Sequence, residues 1–193
     1  MASIPDFNYN NVLPPHLGNP TDTSKISPYK TDIMEFCKKF ATSSERIEIL
    51  KGFIYFRLEA CKKNIVNGFQ WIDGSFTENI EASEKRAPHD IDVVSFISQI
   101  SPQLEQDIII KFPAFASPSL SKSQYHVDHY LVIFDQNPLM TVQMTKYWIQ
   151  LFSHNRAGVW KGMIELPLYN TLDSDNEALN FLNSLRKGLS IQP

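Results

Sequence analysis

Apolar residues recur at helical spacing between residues 30 and 64. Capping-box patterns at Asp32 with Glu35, and at Thr42 with Glu45, each precede an apolar stripe. The two stripes predict two consecutive helices, and their apolar positions are Ile33, Phe36, Cys37 and Phe40, then Ile47, Leu50, Ile54, Leu58 and Cys61.

The end of the chain predicts another helix, over about residues 174–187. Ser174 and Glu177 form its capping box, and Gly188 suits the C′ position. Its apolar stripe is Leu179, Leu182 and Leu185. Asp173 and Asp175 flank Ser174, and we interpret this acidic pair as part of the turn that caps the helix.

The period of the pattern changes from helical to two residues after Asn67-Gly68. Residues 69–73 predict a strand with Trp71 and Asp73 on one face. Residues 90–97 are rich in β-branched and aromatic side chains, which favours a mostly buried strand. Residues 125–134 predict a third strand, in which His126, Asp128 and Tyr130 share a face.

Shorter segments complete the predicted fold. Ser101-Pro102 suits an N-cap and first helical position, so a short helix is expected towards Lys111. A helix around 141–152, a strand over 162–168 and loops over 78–89 and 112–123 are also expected. The whole pattern predicts an α/β (α+β) fold, with helices before and after a small β-sheet.

The chain is expected to consist of an arm and one domain. Residues 1–28 contain five prolines and no continuous apolar run, which indicates an extended N-terminal arm. Residues 29–193 are predicted to form a single domain, with helices at about 30–64, a core at about 67–168 and the C-terminal helix.

Composition narrows the class of protein. The chain is 42% hydrophobic and 20% charged, as in soluble globular proteins, and its net charge of −3 argues against a long nucleic-acid-binding face. Cys37 and Cys61 lack metal-ligand spacing and suit buried thiols, although sequence leaves a disulfide open. A cytoplasmic protein without membrane insertion is expected, because neither a signal-peptide pattern nor an apolar run of about 20 residues is present.

Two aspartates of the second predicted strand are candidates for chemistry. Asp90 and Asp92 share a face of the strand and lie about 6.5 Å apart along the chain. Two carboxylates about 4 Å apart repel each other by about 4 kcal/mol at an effective dielectric constant of about 20. Because the adjacent residues in sequence carry no positive charge, a divalent cation is indicated, and Mg²⁺ prefers such oxygen ligands.

A Gly-Ser dipeptide and a third aspartate complete the pattern. Gly74 lets the backbone approach a phosphate closely, and the Ser75 hydroxyl and nearby backbone N–H groups can bind its oxygens. Asp128 is the one acid of the third predicted strand, where it would hold the ion that activates an attacking hydroxyl. Taken singly, Gly74-Ser75 suits a simple turn and Asp128 suits a solvent-facing edge strand.

These residues resemble the active-site signature of the DNA polymerase beta-like nucleotidyltransferase superfamily, in its minimal type. Within it, the chain is most similar to an uncharacterised family of small bacterial nucleotidyltransferase-like proteins, some of which occur in phage-defence or toxin–antitoxin operons. The likeness is carried by residues 71–76, 88–94, Val127-Asp128 and 147–152, followed by Arg156 and Lys161-Gly162.

The resemblance implies a small mixed β-sheet of the nucleotidyltransferase fold. It also implies that Gly74 and Ser75 bind a triphosphate and that Asp90, Asp92 and Asp128 bind two Mg²⁺ ions, with Mn²⁺ as an alternative. The chain departs from the superfamily in two respects. The gap from Ser75 to Asp90 is slightly long, and the large helical substrate domain of many relatives is missing.

Other residues near the motifs have two interpretations each. Arg156 and Lys161 could neutralise the β- and γ-phosphates, or could be ordinary surface cations. Tyr147 and Trp148 could stack on a nucleobase, although aromatic residues at helical spacing usually lie in the core. His89 and His126 flank the carboxylates, and a structural role is favoured over contact with phosphate for both.

The predicted activity is transfer of a nucleoside monophosphate from a (d)NTP such as ATP to a hydroxyl, with release of pyrophosphate. The acceptor stays open among a protein side chain, an RNA end and a growing untemplated oligonucleotide. The resemblance also leaves open an operon-encoded partner or effector protein and a homo-oligomer. The alternative function is a non-catalytic interaction module of the same fold, acting as an antitoxin or sensor.

Overall fold

The protein has a five-stranded mixed β-sheet and seven α-helices in a computed structural model that describes residues 4–189, and side chains as far as Leu185. The strands are β1 (Tyr29–Lys30), β2 (Gly68–Asp73), β3 (Ile91–Ile97), β4 (Val127–Ile133) and β5 (Ile164–Pro167). The helices are α1 (Ile33–Phe40), α2 (Ser44–Lys62), α3 (Ile80–Glu84), α4 (Pro102–Lys111), α5 (Pro118–Tyr125), α6 (Pro138–Phe152) and α7 (Asp173–Leu189). The expected α+β class is confirmed.

The strands lie in the order β1-β5-β2-β3-β4. β2 is antiparallel to both of its neighbours, β3 and β5, whereas β3 pairs with β4 in parallel. A parallel pair needs a crossover connection, and α4 and α5 provide it between β3 and β4. This crossover places α5 immediately before β4, at the end of the sheet where β3 and β4 begin.

Alternate strand positions pack into two apolar clusters. The larger cluster joins Ile72, Val93 and Ile164 to the buried sides of α1, α2 and α7. The smaller cluster lies on the other face, where Trp71, Val94 and Phe96 pack against Trp148 and Phe152 of α6. Residues at intervals of two from Trp71 in β2 therefore face α6, and so do their register partners on the neighbouring strands.

Sequence predicted the beginning of α1 correctly and that of α2 one residue too early. Asp32 accepts a hydrogen bond from the Glu35 backbone N–H at 2.8 Å, as a capping residue does. In α2 the capping residue is Ser43, whose hydroxyl accepts from the Arg46 N–H. Thr42 lies in the turn that leaves α1, where its N–H donates to the Phe40 carbonyl.

The interpretation of Asp175 as part of a capping turn is wrong. The helix α7 begins at Asp173, so Ser174 lies inside it, and it continues through Gly188 to Leu189. Asp175 is buried and accepts from Arg57 of α2, with 2.6 Å between Oδ1 and Nε. Arg57 also donates to the Gln70 side chain in β2, so this ion pair joins two helices to the sheet.

Two segments expected to be loops contain helices. Residues 78–89 include α3, because buried Ile80 and the Arg46–Glu81 ion pair hold that segment against α2. Residues 112–123 include a 3₁₀ turn and most of α5, which begins with Pro118 at its first position. Gly52 in α2 lets the end of α5 approach closely, since a Cβ there would lie 2.2 Å from the Tyr125 carbonyl oxygen.

The N-terminal segment lies against the domain. Val12 and Leu13 are buried, and the Leu13 carbonyl accepts from the Gly162 N–H at 2.8 Å. The Asn11 carbonyl accepts from the Asn79 N–H, also at 2.8 Å. These backbone bonds connect the arm to the segments before α3 and before β5.

The two cysteines were expected to be buried thiols. Cys37 and Cys61 are both free thiols; Cys37 is buried and Cys61 only partly so. Burial raises the pKa of Cys37 to about 12.

Within residues 4–189, no helix combines the length and the apolar character needed to cross a membrane.

His129 makes the stability of the fold sensitive to pH. Its ring is buried in β4 between Phe56 and Phe115, 2.8 Å from the Ser95 hydroxyl, which can donate to the neutral ring. Burial lowers the pKa of His129 to about 3. As pH falls below about 6.5, the unfolded chain binds a proton that the folded chain cannot take up, so stability is lost between pH 6.5 and pH 3.

We expect the unfolding free energy to fall by about 3 kcal/mol from this residue between pH 7 and pH 4. His129→Gln removes the titration and should flatten that part of the profile in urea unfolding. The exposed His154, changed to Gln, is the matched control and should leave the profile unchanged. Equal pH profiles for wild type and His129→Gln would show that the loss of stability at low pH does not come from His129.

Candidate functional site

Three aspartates lie side by side across β2, β3 and β4. Asp73 is the register partner of Asp92, and Asp92 is the register partner of Asp128. Because register partners point to the same face, all three carboxylates lie on the face covered by α6. Asp90 precedes β3 directly, so the structure brings together the three predicted acids, Asp90, Asp92 and Asp128, and adds Asp73.

The acids line a cavity of about 780 Å³. Its walls come from the ends of the strands, the turn after β2, the end of α6 and the loop that follows α6. The volume lies within the range of about 300–1,000 Å³ that is usual for small-molecule sites. The predicted residues that line it are Gly74, Ser75, His89, Asp90, Asp92, Asp128, Trp148, Arg156 and Lys161.

Gly74 forms the turn between β2 and a short 3₁₀ segment, Ser75–Thr77. Its φ of 84° and ψ of −170° belong to a region that only glycine adopts readily. A Cβ at this position would lie 2.2 Å from Oδ2 of Asp92. The glycine therefore allows the backbone to pass directly over the central aspartate, and it leaves the Ser75 side chain partly exposed at the cavity.

Gly74→Ala is expected to destabilise the fold by more than backbone strain alone. Strain in this region costs about 1–3 kcal/mol, and the new methyl group would also push against Asp92. Gly158→Ala is the matched control, since Gly158 has φ 76° but open space around a Cβ. Urea unfolding should show a larger loss for Gly74→Ala; equal losses would contradict the close packing of Gly74 on Asp92.

Lys161 is buried beneath the turn, with 2% of its side chain exposed. Its ammonium lies 3.0 Å from Oδ1 of Asp73, 2.7 Å from Oε1 of Glu78 and 3.0 Å from the Gly74 carbonyl oxygen. Burial lowers the pKa of Lys161, but Asp73 and Glu78 outweigh that effect and raise it. Burial raises the pKa of Asp73, which Lys161 and the Gly74 N–H oppose.

These contacts differ from both interpretations of Lys161, as a residue that neutralises phosphate and as a surface cation. All three N–H donors of the ammonium have protein acceptors, so Lys161 holds the Gly74 turn and presents no free charge to a phosphate. Arg46 supports the next residues of the turn, because it donates at 2.6 Å to both the Phe76 and Glu78 carbonyls. The turn is therefore held by two buried cations.

Asp92 lies among other negative charges without an ion pair of its own to any described residue. Burial, together with the charges of Asp90 and Asp128, raises the pKa of Asp92 to about 6. Asp90 and Asp128 share one counterion, Lys122 of α5, whose Nζ lies 2.6 Å from the Asp90 Oδ2 and 3.3 Å from the Asp128 Oδ2. The sequence indicated a divalent cation because no residue adjacent to Asp90 is positively charged; in the structure Lys122 supplies a positive charge there.

The fit of Mg²⁺ to these carboxylates depends on that lysine. In the part of the chain that the structure describes, no three Asp, Glu, His or Cys side chains converge as a metal-binding cluster. The carboxylates are nevertheless hard oxygen donors on adjacent strands, and burial together with the charges of Asp90 and Asp128 raises the pKa of Asp92 even with Lys122 present. By donor type, Asp90, Asp92 and Asp128 suit a divalent cation.

The remaining candidates lie in different environments. Arg156 is exposed at the cavity wall and forms no ion pair with any residue between 4 and 189. Tyr147 is 53% exposed, whereas Trp148 is buried against Tyr130, with 4.8 Å between ring centroids. His89 is exposed at the cavity. His126 is the C-cap of α5 with φ 57°, so its predicted place on the strand face of Asp128 is wrong.

Sequence reasoning missed Asp73, Lys122 and Glu78. Asp73 had a usable signal, because it ends the strand that leads into Gly74 and alternates onto the face of Trp71. Lys122 had none, since it lies on a helix predicted to be a loop and far from Asp90 in sequence. Glu78 is placed only by the turn geometry around Gly74.

Comparison with known proteins identifies a family without assigning an activity. Residues 5–167 match the model of a family of unknown function, DUF6932, and this span includes the whole sheet and every site residue described above. No curated protein and no solved structure matches the chain. The chain therefore belongs to the DUF6932 family, whose function is unknown.

Proposed function

We propose that this protein is a metal-dependent nucleotidyltransferase. It would transfer a nucleoside monophosphate from a (d)NTP to a hydroxyl acceptor and release pyrophosphate. The observation that carries the proposal is the placement of the Gly74 turn directly over Asp92, in the same cavity as Asp90 and Asp128. This arrangement puts a backbone turn suited to phosphate next to carboxylates suited to divalent ions.

Each residue has a stated role in the proposed reaction. Asp90, Asp92 and Asp128 would hold two Mg²⁺ ions, which when bound would polarise the α-phosphate and lower the pKa of the acceptor hydroxyl. Gly74 would let the triphosphate approach the backbone closely, and Ser75 would bind it through its hydroxyl and backbone N–H, because the Gly74 N–H already donates to Asp73. Arg156 would offset phosphate charge at the cavity wall. Asp128 would receive the proton of the acceptor, and in-line attack then needs positioning rather than covalent catalysis.

The proposal also covers substrate and setting. A protein hydroxyl, an RNA end or an untemplated oligonucleotide would accept the nucleotide, in the cytoplasm of a bacterium and within phage defence or a toxin–antitoxin pair. Incubation with each labelled (d)NTP and Mg²⁺, followed by gel separation, distinguishes labelled protein from labelled nucleic acid. The neighbouring genes test the setting, because a toxin, a membrane effector or an RNA-processing gene each indicates a different acceptor.

A second function is favoured by one observation. Lys122 joins Asp90 and Asp128, as in a site whose charges are satisfied without metal. A non-catalytic module of this fold, acting as an antitoxin or sensor, would have such a site. Calorimetry with Mg²⁺ and a non-hydrolysable nucleotide separates the two functions: binding of both supports the enzyme, and binding of neither supports the module.

A further inference from the structure

Lys122 stands between the two strands that carry the candidate ion ligands. It belongs to α5, and its ammonium touches one carboxylate before β3 and one in β4. Lys122 contacts Oδ2 of each carboxylate, so a divalent cation that binds Asp90 and Asp128 through these oxygen atoms would take the place of the ammonium. The ammonium and a divalent ion therefore compete for one position.

Binding of the divalent ion is favoured over the contact with Lys122. The Lys122 side chain is 52% exposed, whereas Asp90 and Asp128 are 18% and 22% exposed. An exposed lysine keeps its four-carbon chain free to swing into solvent, and exposed ion pairs contribute little to stability. A divalent ion offers twice the charge to the same carboxylates. The Lys122 side chain can therefore move away from the carboxylates without a rearrangement of β3 or β4.

We infer that Lys122 is an internal counterion that holds the carboxylates in the absence of metal and must be displaced when a divalent ion binds. This inference rests on the proposed function, because it concerns the same ion site. It makes Lys122 a residue that sets the divalent-ion concentration at which the site fills. A modification that removes its charge, such as acetylation, would lower that concentration.

Mn²⁺ binding to the full chain, followed by electron paramagnetic resonance of the free ion, tests the inference without reference to activity. Lys122→Met and Lys122→Gln remove the charge and should tighten Mn²⁺ binding roughly tenfold, which corresponds to about 1.4 kcal/mol. Lys122→Arg keeps the charge and should bind no more tightly than wild type. Lys111→Met is the matched control, since Lys111 pairs with Asp107 on an exposed helix, and it should leave the affinity unchanged.

The outcomes separate this inference from the proposed function. Tighter binding in both neutral variants, with Lys111→Met unchanged, supports both. Equal Mn²⁺ affinity in wild type and the neutral variants overturns the counterion role and leaves the ion site standing. Absence of Mn²⁺ binding in every variant, with folding confirmed by circular dichroism, overturns both.

Discussion

Lys161→Met is expected to lower the free energy of unfolding by about 3–5 kcal/mol, the usual effect of removing one partner of a buried ion pair. The substitution would leave Asp73 and Glu78 buried with no cation between them, and the Gly74 carbonyl without its donor. Methionine fills a similar volume, so the loss reports charge rather than a cavity. Urea unfolding followed by tryptophan fluorescence measures it.

Two further variants interpret that result. Lys30→Met is the matched control, because Lys30 pairs with Glu165 while 79% of its side chain is exposed, and it should cost no more than about 1 kcal/mol. Adding Glu78→Gln to Lys161→Met should recover part of the loss, since one unpaired charge is removed. If Lys161→Met and Lys30→Met prove equally mild, Lys161 does not hold the turn.

Asp92→Asn is expected to lower the rate of nucleotidyl transfer by at least about 10³-fold, or about 4 kcal/mol of activation free energy. Asp92 lies centrally in the row of aspartates, beneath Gly74, so its carboxylate would bind both ions. The amide keeps the shape of the side chain but offers a much poorer ligand. Incorporation of label from a (d)NTP measures the loss.

The same variant should make the metal-free protein more stable at pH 8, by about 1–3 kcal/mol. The pKa of Asp92 is raised from 3.8 to about 6. Above pH 6 the folded protein therefore carries the full free-energy cost of the ionised carboxylate. Below pH 3.8 both states hold the proton and the gain should vanish. Glu105→Gln, at an exposed position of α4, is the control and should leave transfer unchanged and stability within about 0.5 kcal/mol. Loss of stability in Asp92→Asn would indicate a structural aspartate instead.

Sequence predicted the elements whose signals are local. The capping residue of α1, the alternation of β2 and the Ser101-Pro102 beginning of α4 depend on neighbouring residues, and each agrees with the structure. The convergence of Asp90, Asp92 and Asp128 was also accessible, because an i, i+2 pair and a later strand acid share a face once the strands pair. Local chemistry was sufficient for these features.

Features that depend on long-range packing were not accessible. Helix α5 forms where Gly52 and Phe56 of α2 accommodate Tyr125. The local sequence pattern does not predict that contact. The roles of Lys122 and Lys161 depend on strand order, which brings Lys122 to Asp90 and Lys161 to Asp73 from distant parts of the sequence. Asp175 likewise has its partner 118 residues away, in α2. For each of them, the interaction is defined only after the sheet and helices have assembled.

Transfer of a nucleoside monophosphate can be distinguished from other reactions of a (d)NTP by the fate of two labels. Wild-type protein is incubated with Mg²⁺ and a (d)NTP carrying label at either the α- or the γ-phosphate, together with candidate protein and RNA acceptors. We expect α-label to become attached to an acceptor while γ-label leaves as pyrophosphate, and we expect Asp92→Asn to do neither. Attachment of γ-label, release of inorganic phosphate alone, or equal transfer by Asp92→Asn would contradict it.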